Sequence, residues 1–217
     1  MSTSRAKENI LRNIRQALSN PVPLPFPESE GTQSVYPASS EDKSIIFAEE
    51  FTKLQGNFAF CANEHDFINQ LELLISERKW SKIYCKEYKY INALSTINIQ
   101  PFEDLAACEV SITGCEYLVA RTGSIVLSAA GQSGRTTSVY APIHICIAYT
   151  SQLRFDIKDA LQALKAKYGS SLPSFITFAS GPSRTADIEK TLVTGVHGPK
   201  EVFCFLLEED DPTNSLG

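Results

Sequence analysis

The sequence predicts an α/β protein with a mixed, largely parallel sheet flanked by helices and with an N-terminal helical arm. Three observations support this class. Short apolar segments alternate with helical segments over most of the chain, which is typical of parallel α/β sheets. Two β-rich segments around a Thr-Gly pair interrupt that alternation, and a proline-rich stretch separates the first helix from the rest.

The arm begins with an amphipathic helix, predicted over residues 4–19 because Ile10 and Ile14 recur on one apolar face. The stretch that follows it holds five prolines and several Ser, Glu and Gly residues, which favours an extended linker. We therefore predict an arm over residues 1–41 and an α/β domain over residues 42–217. The arm either lies along its own domain or reaches a second copy in a homo-oligomer, and the sequence does not decide between them.

The elements of the domain follow from the spacing of apolar residues and from turn residues. Helices are predicted over 44–56, 66–78, 155–169 and 183–195, and strands over 57–62, 82–86, 144–150, 174–180 and 201–207. The stretch "EYLVARTGSIVLSAA" predicts a hairpin that turns at Thr122-Gly123, because glycine supplies the positive φ that tight hairpin turns require.

The composition excludes several functions. A net charge of −5 without a basic stripe argues against a nucleic-acid partner. The six cysteines are scattered in apolar runs without a C-x-x-C pair, so the chain is not expected to hold an iron–sulfur cluster or any other metal. No apolar run approaches the ~18 residues of a membrane span, and no secretory signal is visible. We expect a cytoplasmic protein.

The strongest candidate site follows the strand predicted over 174–180. Gly181-Pro182-Ser183 would connect that strand to the next helix at the carboxyl edge of the sheet, where α/β proteins bind ligands. Helix N-terminal N–H groups attract anions, and Arg184 would strengthen such a site. Ser183 or Thr185 would cap the helix. A purely structural role, with the hydroxyls as caps, accounts for these residues equally simply.

Three further residues of this stretch carry groups that can transfer protons. Asp187 and Glu189 are candidate catalytic residues, but acids in a first helical turn also serve to complement the helix dipole. His197 stands between Gly195 and Gly198-Pro199, where a turn or capping role competes with catalysis. The spacing of the three histidines follows no metal-ligand pattern, so no metal site is predicted.

A second candidate is Arg135 in the segment "GQSGRTTS". A glycine-rich loop can present several N–H groups to a phosphate or carboxylate, and an arginine adds a fork of donors. A solvated surface loop explains the same composition.

The segments "ARTGSIVLSAA", "APIHICIAY" and "GPSRTADIEKTLVTGVHGPKE" resemble the LUD-domain family (DUF162). The resemblance implies a fold like that of the NagB/RpiA/CoA-transferase group. It also implies an accessory role in the oxidation of L-lactate to pyruvate, in which companion proteins carry the iron–sulfur clusters. Members commonly have an acid where this chain has Arg121, so a borrowed transferase glutamate has no counterpart at that position.

These inferences combine into one hypothesis with two alternatives. The chain would bind a small carboxylate or phosphorylated ligand at the Gly181–Thr185 segment, with Thr122, Gly123 and Arg135 nearby. One alternative is a free-standing enzyme of the same fold that acts on a sugar phosphate or a CoA ester. The other is a non-catalytic scaffold for iron–sulfur partners. The sequence leaves open the ligand, the electron acceptor and the oligomeric state.

Overall fold

A computed structural model describes residues 5–19, 41–185, 193–195 and 197–208. The chain divides into two units between Ser40 and Glu41. The first unit contains helix α1 (Arg5–Ser19), which confirms the predicted amphipathic helix and exposes Ile10, Leu11 and Ile14. The predicted linker lies almost entirely outside the described residues, so the division into an arm and a domain stays a prediction. No helix in the described ranges is long and apolar enough to cross a membrane.

The second unit carries the remaining elements. Its helices are α2 (Lys43–Lys53), α3 (Glu64–Arg78), α4 (Tyr88–Thr96), α5 (Thr137–Tyr140) and α6 (Ile157–Tyr168). Its first strands are β1 (Asn57–Cys61), β2 (Ile83–Cys85), β3 (Val110–Thr113), β4 (Tyr117–Val119), β5 (Ser124–Ser128) and β6 (Ile143–Tyr149). The later strands are β7 (Leu153–Arg154), β8 (Ile176–Ala179), β9 (Arg184–Thr185), β10 (Val193–Thr194) and β11 (Glu201–Leu207).

Five strands form a parallel sheet in the order β1-β11-β6-β3-β2. The strands predicted over 57–62, 82–86, 144–150 and 201–207 all belong to it. Helices α3 and α4 cover one face of this sheet, and the other face packs against a second sheet and α2. Because both faces are buried, its central strands read as continuous apolar runs in the sequence. The α/β class with a largely parallel sheet and flanking helices is confirmed.

The second sheet has four strands in the order β7-β4-β5-β8 and is mixed. Strands β4 and β5 are antiparallel and form the predicted hairpin, whose turn contains Gly123 at φ 54°. Helix α6 packs on the outer face of this sheet. The domain is therefore built in four layers: helices, parallel sheet, mixed sheet and helix.

The helix predicted over 183–195 is wrong where the structure describes it. Residues 184–185 and 193–194 pair instead as the antiparallel strands β9 and β10. The adjoining Ser183 also makes no helical hydrogen bonds, since its N–H donates to Pro199 O and its carbonyl accepts from the N–H of Gly195. Strand β8 pairs with β5 in the mixed sheet, while β11 lies in the parallel sheet. The strands predicted on either side of that helix, over 174–180 and 201–207, therefore belong to different sheets.

Candidate functional site

A cavity of about 220 Å³ opens where strand β3 ends, and we call it the carboxyl-edge pocket. Its walls come from the N-terminus of α4, the connection from β3 to β4, the end of β5, the glycine-rich loop before α5 and the last turn of α6. It therefore draws on both sheets. Its polar wall includes Glu87, Thr113, Glu116, Ser128, Ser133 and Lys167.

Glu116 is the most enclosed acid of this pocket, with 8% of its side chain exposed. Its carboxylate accepts hydrogen bonds from Lys167 Nζ at 2.8 Å, from the Tyr168 hydroxyl at 2.7 Å and from the Ser128 hydroxyl. Burial alone would raise the pKa of Glu116, but these donors outweigh it and hold the pKa below its usual value. Glu116 therefore stays a carboxylate at neutral pH.

Glu116 fixes the end of α6 at the rim of the pocket. Lys167 and Tyr168 are the last two residues of that helix, and both donate to the same carboxylate. The hydrogen bond to Glu116 raises the pKa of Lys167, so its ammonium group stays charged. About half of the Lys167 side chain is exposed, and one of its three N–H donors goes to Glu116. The arrangement places an ammonium group, paired with the Glu116 carboxylate, beside the cavity.

Glu87 forms part of another wall, at the N-cap position of α4. Its side chain does not cap that helix. Its Oε1 atom instead accepts the Gly114 N–H at 2.9 Å and the Ser133 hydroxyl at 2.6 Å. A Cβ atom on Gly114 would lie 2.8 Å from the Tyr90 hydroxyl and 3.0 Å from Glu87 Oε2. Glycine at this position therefore allows Glu87 and Tyr90 to approach the β3–β4 connection.

The glycine-rich loop of the second sequence hypothesis does contribute to the pocket. Gly131, Ser133 and Gly134 line the cavity. The loop is fastened to the start of α4, because Gln132 Oε1 accepts the Tyr88 N–H at 3.1 Å and Ser133 donates to Glu87. Arg135 does not line the cavity, and its guanidinium donates to Ser174 Oγ at 2.6 Å. The loop therefore lines the pocket with its glycines and Ser133, but Arg135 points to Ser174 instead.

A buried histidine lies behind the cavity wall. The Thr113 hydroxyl, which lines the pocket, is 2.8 Å from His144 Nε2. His144 is 1% exposed, and desolvation lowers its pKa to about 4. The imidazole is therefore neutral at physiological pH. Within the described ranges, no three His, Cys, Asp or Glu residues are grouped so that they could hold a metal ion.

The residues predicted around the hairpin lie against the end of α2 instead. A Cβ on Gly123 would lie 2.5 Å from Phe51 N, and one on Gly181 would lie 2.5 Å from Leu54 O. The Arg184 guanidinium donates to that same Leu54 carbonyl. The hairpin turn and the Gly181 segment therefore do come together, but the contacts observed there are packing contacts with α2.

Hydroxyl groups link these two predicted segments directly. Ser124 Oγ is 2.6 Å from Ser180 Oγ and 2.8 Å from Thr122 Oγ1. Pro182 is buried, and Ser183 makes two backbone hydrogen bonds, to Pro199 and Gly195. None of the described residues among them lines the carboxyl-edge pocket. Their binding of a ligand stays a prediction.

The remaining predicted site residues are in several places. The side chain of Thr185 and all of Asp187 and Glu189 lie outside the described residues. His197 is exposed and follows the short strand β10 rather than the end of a helix. Arg121 pairs with Asp156 at 2.6 Å, at the start of α6, so its positive charge is used to join the hairpin to that helix.

The pocket acids and Lys167 were missed by the sequence interpretation. Glu87 directly follows the buried strand predicted over 82–86, and that position at a carboxyl edge is a usable signal. Glu116 and Lys167 carry no such signal, because Glu116 immediately precedes a hairpin strand and Lys167 lies in the last turn of a helix. Only the folded chain shows that these three residues share one cavity.

Comparison with known proteins supports this architecture. A DUF162 family protein from Deinococcus radiodurans superposes with a TM-score of 0.57 at 17% identity, over 79% of this chain and 99% of that one. This likeness concerns the fold, which is consistent with the NagB/RpiA/CoA-transferase-like group. A "Lactate utilization protein C" from Exiguobacterium is 27% identical over 94% of this chain and 96% of its own length.

Higher identity is found over shorter segments. The "Lactate utilization protein C" of Halalkalibacterium halodurans is 38% identical over 110 residues, which are 50% of this chain and 47% of that protein. The matched segment thus spans about half of that relative's length. The family model described as the LUD domain matches residues 79–207, a range that begins before β2, ends with β11 and includes every residue that lines the carboxyl-edge pocket. With more than half of its residues inside that match, the chain belongs to the LUD domain family.

Proposed function

We propose that this chain is an accessory subunit of L-lactate utilisation that binds a small anionic ligand in the carboxyl-edge pocket. It would act with iron–sulfur partner proteins in the oxidation of lactate to pyruvate. The proposal draws its metabolic context from similar proteins that are named "Lactate utilization protein C". The observation that carries the binding part is the charged Lys167 ammonium, held by Glu116 at the rim of a polar cavity.

The size of the cavity favours a small acid as the ligand. Its volume of about 220 Å³ is below the ~300–1,000 Å³ of pockets that enclose drug-sized ligands. A lactate-sized molecule fits within such a volume, whereas most of a CoA ester would lie outside it. The hydroxyls of Ser128 and Ser133, together with Thr113, add polar groups that can orient a small ligand. This favours the accessory subunit over the alternative enzyme that acts on a CoA ester.

The binding part is tested by isothermal titration calorimetry of the purified chain with L-lactate, pyruvate, ribose 5-phosphate and acetyl-CoA. Replacing Lys167 by Gln removes the positive charge, so the small acids should bind about tenfold more weakly. The matched control is Lys165→Gln, because Lys165 is exposed on the same helical turn and does not line the cavity. Equal affinities for the two variants would contradict this site.

The partner part is tested by anaerobic affinity purification of the chain from its native host grown on lactate. Mass spectrometry should identify cysteine-rich partners, and the absorbance spectrum should show an iron–sulfur chromophore. A colourless chain that turns over a sugar phosphate by itself would instead support the free-standing enzyme.

A second candidate function is the non-catalytic scaffold. Helix α1 exposes Ile10 and Ile14, at 59% and 48%, on its apolar face. Such a face suits protein–protein contact. Deletion of residues 1–41 that abolishes recovery of the partners, while ligand affinity is unchanged, would support the scaffold role of this segment.

A further inference from the structure

The placement of Glu87 is unusual for a residue at the start of a helix. An N-cap side chain ordinarily accepts a hydrogen bond from an N–H group of the first turn. Glu87 has no such bond in α4, and its carboxylate contacts the β3–β4 connection and the glycine-rich loop. The Tyr88 N–H at the start of the helix donates to Gln132 instead. The fold thus directs this carboxylate to the cavity wall.

Glu87 is held in place there by two donors, both of which bind the same oxygen. The Gly114 N–H and the Ser133 hydroxyl donate to Oε1. A carboxylate offers about four lone-pair sites on its two oxygens. Oε2 therefore keeps capacity to accept a hydrogen bond, on an atom whose position is set by its neighbours. This is the geometry of an acceptor fixed before a ligand arrives.

We propose that Glu87 is a specificity-determining residue, which accepts a hydrogen bond from a hydroxyl or amino group of the ligand. The proposal rests on the proposed function, in which the carboxyl-edge pocket binds a small acid. Lys167 provides positive charge for the anionic end, and Glu87 provides an acceptor for a donor elsewhere on the molecule. The ligand class is then a small acid that also carries a hydrogen-bond donor.

The chemistry of the carboxylate predicts the direction of the preference. A carboxylate only accepts hydrogen bonds. The hydroxyl group of a hydroxy acid can donate to it, whereas the carbonyl oxygen of a keto acid brings a second acceptor against it. An acid with only a methylene at that position offers no donor to Glu87 Oε2. A bound ligand would shield Oε2 from water, and a polar atom that loses water without gaining a donor is costly, so we expect the donor-bearing acid to bind at least about tenfold more tightly.

The test compares three acids of similar size, L-lactate, pyruvate and propionate, by isothermal titration calorimetry. With the unaltered chain, L-lactate should bind at least about tenfold more tightly than the other two. The substitution Glu87→Gln keeps an oxygen for Gly114 and Ser133 and adds an amide donor. That variant should bind pyruvate more tightly and lose most of the preference. Glu72→Gln, an exposed site on α3, is the matched control and should keep it.

Each outcome bears on the proposal. If the unaltered chain binds pyruvate or propionate as tightly as L-lactate, or if Glu87→Gln keeps the preference, the role of Glu87 is refuted while the pocket itself stands. If none of the acids binds, both this proposal and the proposed function fail. Lys167→Gln should weaken all three acids alike without changing their ratio. Should Glu87→Gln not fold, Ser133→Ala, which frees Glu87 from one donor, must reduce the preference.

Discussion

The substitution Gly123→Ala should separate the cost of backbone strain from the cost of a tertiary contact. Gly123 turns the β4–β5 hairpin at φ 54°, where an L-residue costs about 1–2 kcal/mol. The new methyl group would also lie 2.5 Å from Phe51 N and 2.7 Å from Glu50 C, both atoms of the α2 backbone. Because backbone cannot rotate away, overlap of this kind adds about 1–3 kcal/mol. We expect a loss of about 2–5 kcal/mol in the free energy of unfolding.

Gly134→Ala is the matched control. Gly134 has φ 66°, but within the described ranges no atom beyond its chain neighbours lies within 4 Å of the position that an alanine methyl group would take. This variant should lose only the strain of about 1–2 kcal/mol. The assay is urea denaturation of both variants and the unaltered chain, followed by far-ultraviolet circular dichroism. Similar losses in the two variants would refute the claim that the hairpin turn packs directly on the α2 backbone.

Three further predictions concern titratable groups. The pKa of His144 is about 4 in the folded chain and 6.5 in the unfolded chain, so its contribution to stability is fully present above pH 6.5 and is lost as the pH falls. The free energy of unfolding should fall by about 2 kcal/mol between pH 6.5 and 5, and His144→Gln should remove that pH dependence in urea titrations. Arg121→Gln should raise the pKa of Asp156, measurable by NMR titration, and cost about 1 kcal/mol at neutral pH; an unchanged pKa would contradict the pairing. Glu116→Gln should lower both the melting temperature and the pKa of Lys167, because the negative charge that accepts from Lys167 and Tyr168 is lost. An unchanged pKa of Lys167 would refute the contact.

Local features of the sequence were enough to predict most elements. The apolar runs of β6 and β11 are buried in the centre of the parallel sheet, and Gly169 ends α6 at positive φ as expected. The hairpin at Gly123 also follows from local turn chemistry. These predictions succeed because apolar periodicity and the conformational freedom of glycine act within a few residues.

Other features depend on contacts that no short window contains. The segment that begins at Ser183 has the Ser, Thr and acidic residues of a helix start, yet the Ser183 backbone bonds to Pro199 and Gly195, and residues 184–185 pair with β10. Strand β8 resembles β11 in the sequence, but cross-strand partners assign it to the mixed sheet. Glu87 and Lys167 line one cavity only because the start of α4 and the end of α6 both border it. Tertiary packing, and not local propensity, determines these parts.

The carboxyl-edge pocket lies at the seam between the two sheets. Glu87 belongs to the helical layer on the parallel sheet, whereas Lys167 belongs to the helix on the mixed sheet. A ligand that contacts both residues would link the parallel sheet with its helices to the mixed sheet with α6. Its binding energy would then resist their separation, so the melting temperature should rise with the concentration of the correct acid. A shift of the melting temperature can therefore identify the ligand in a screen of many candidate acids.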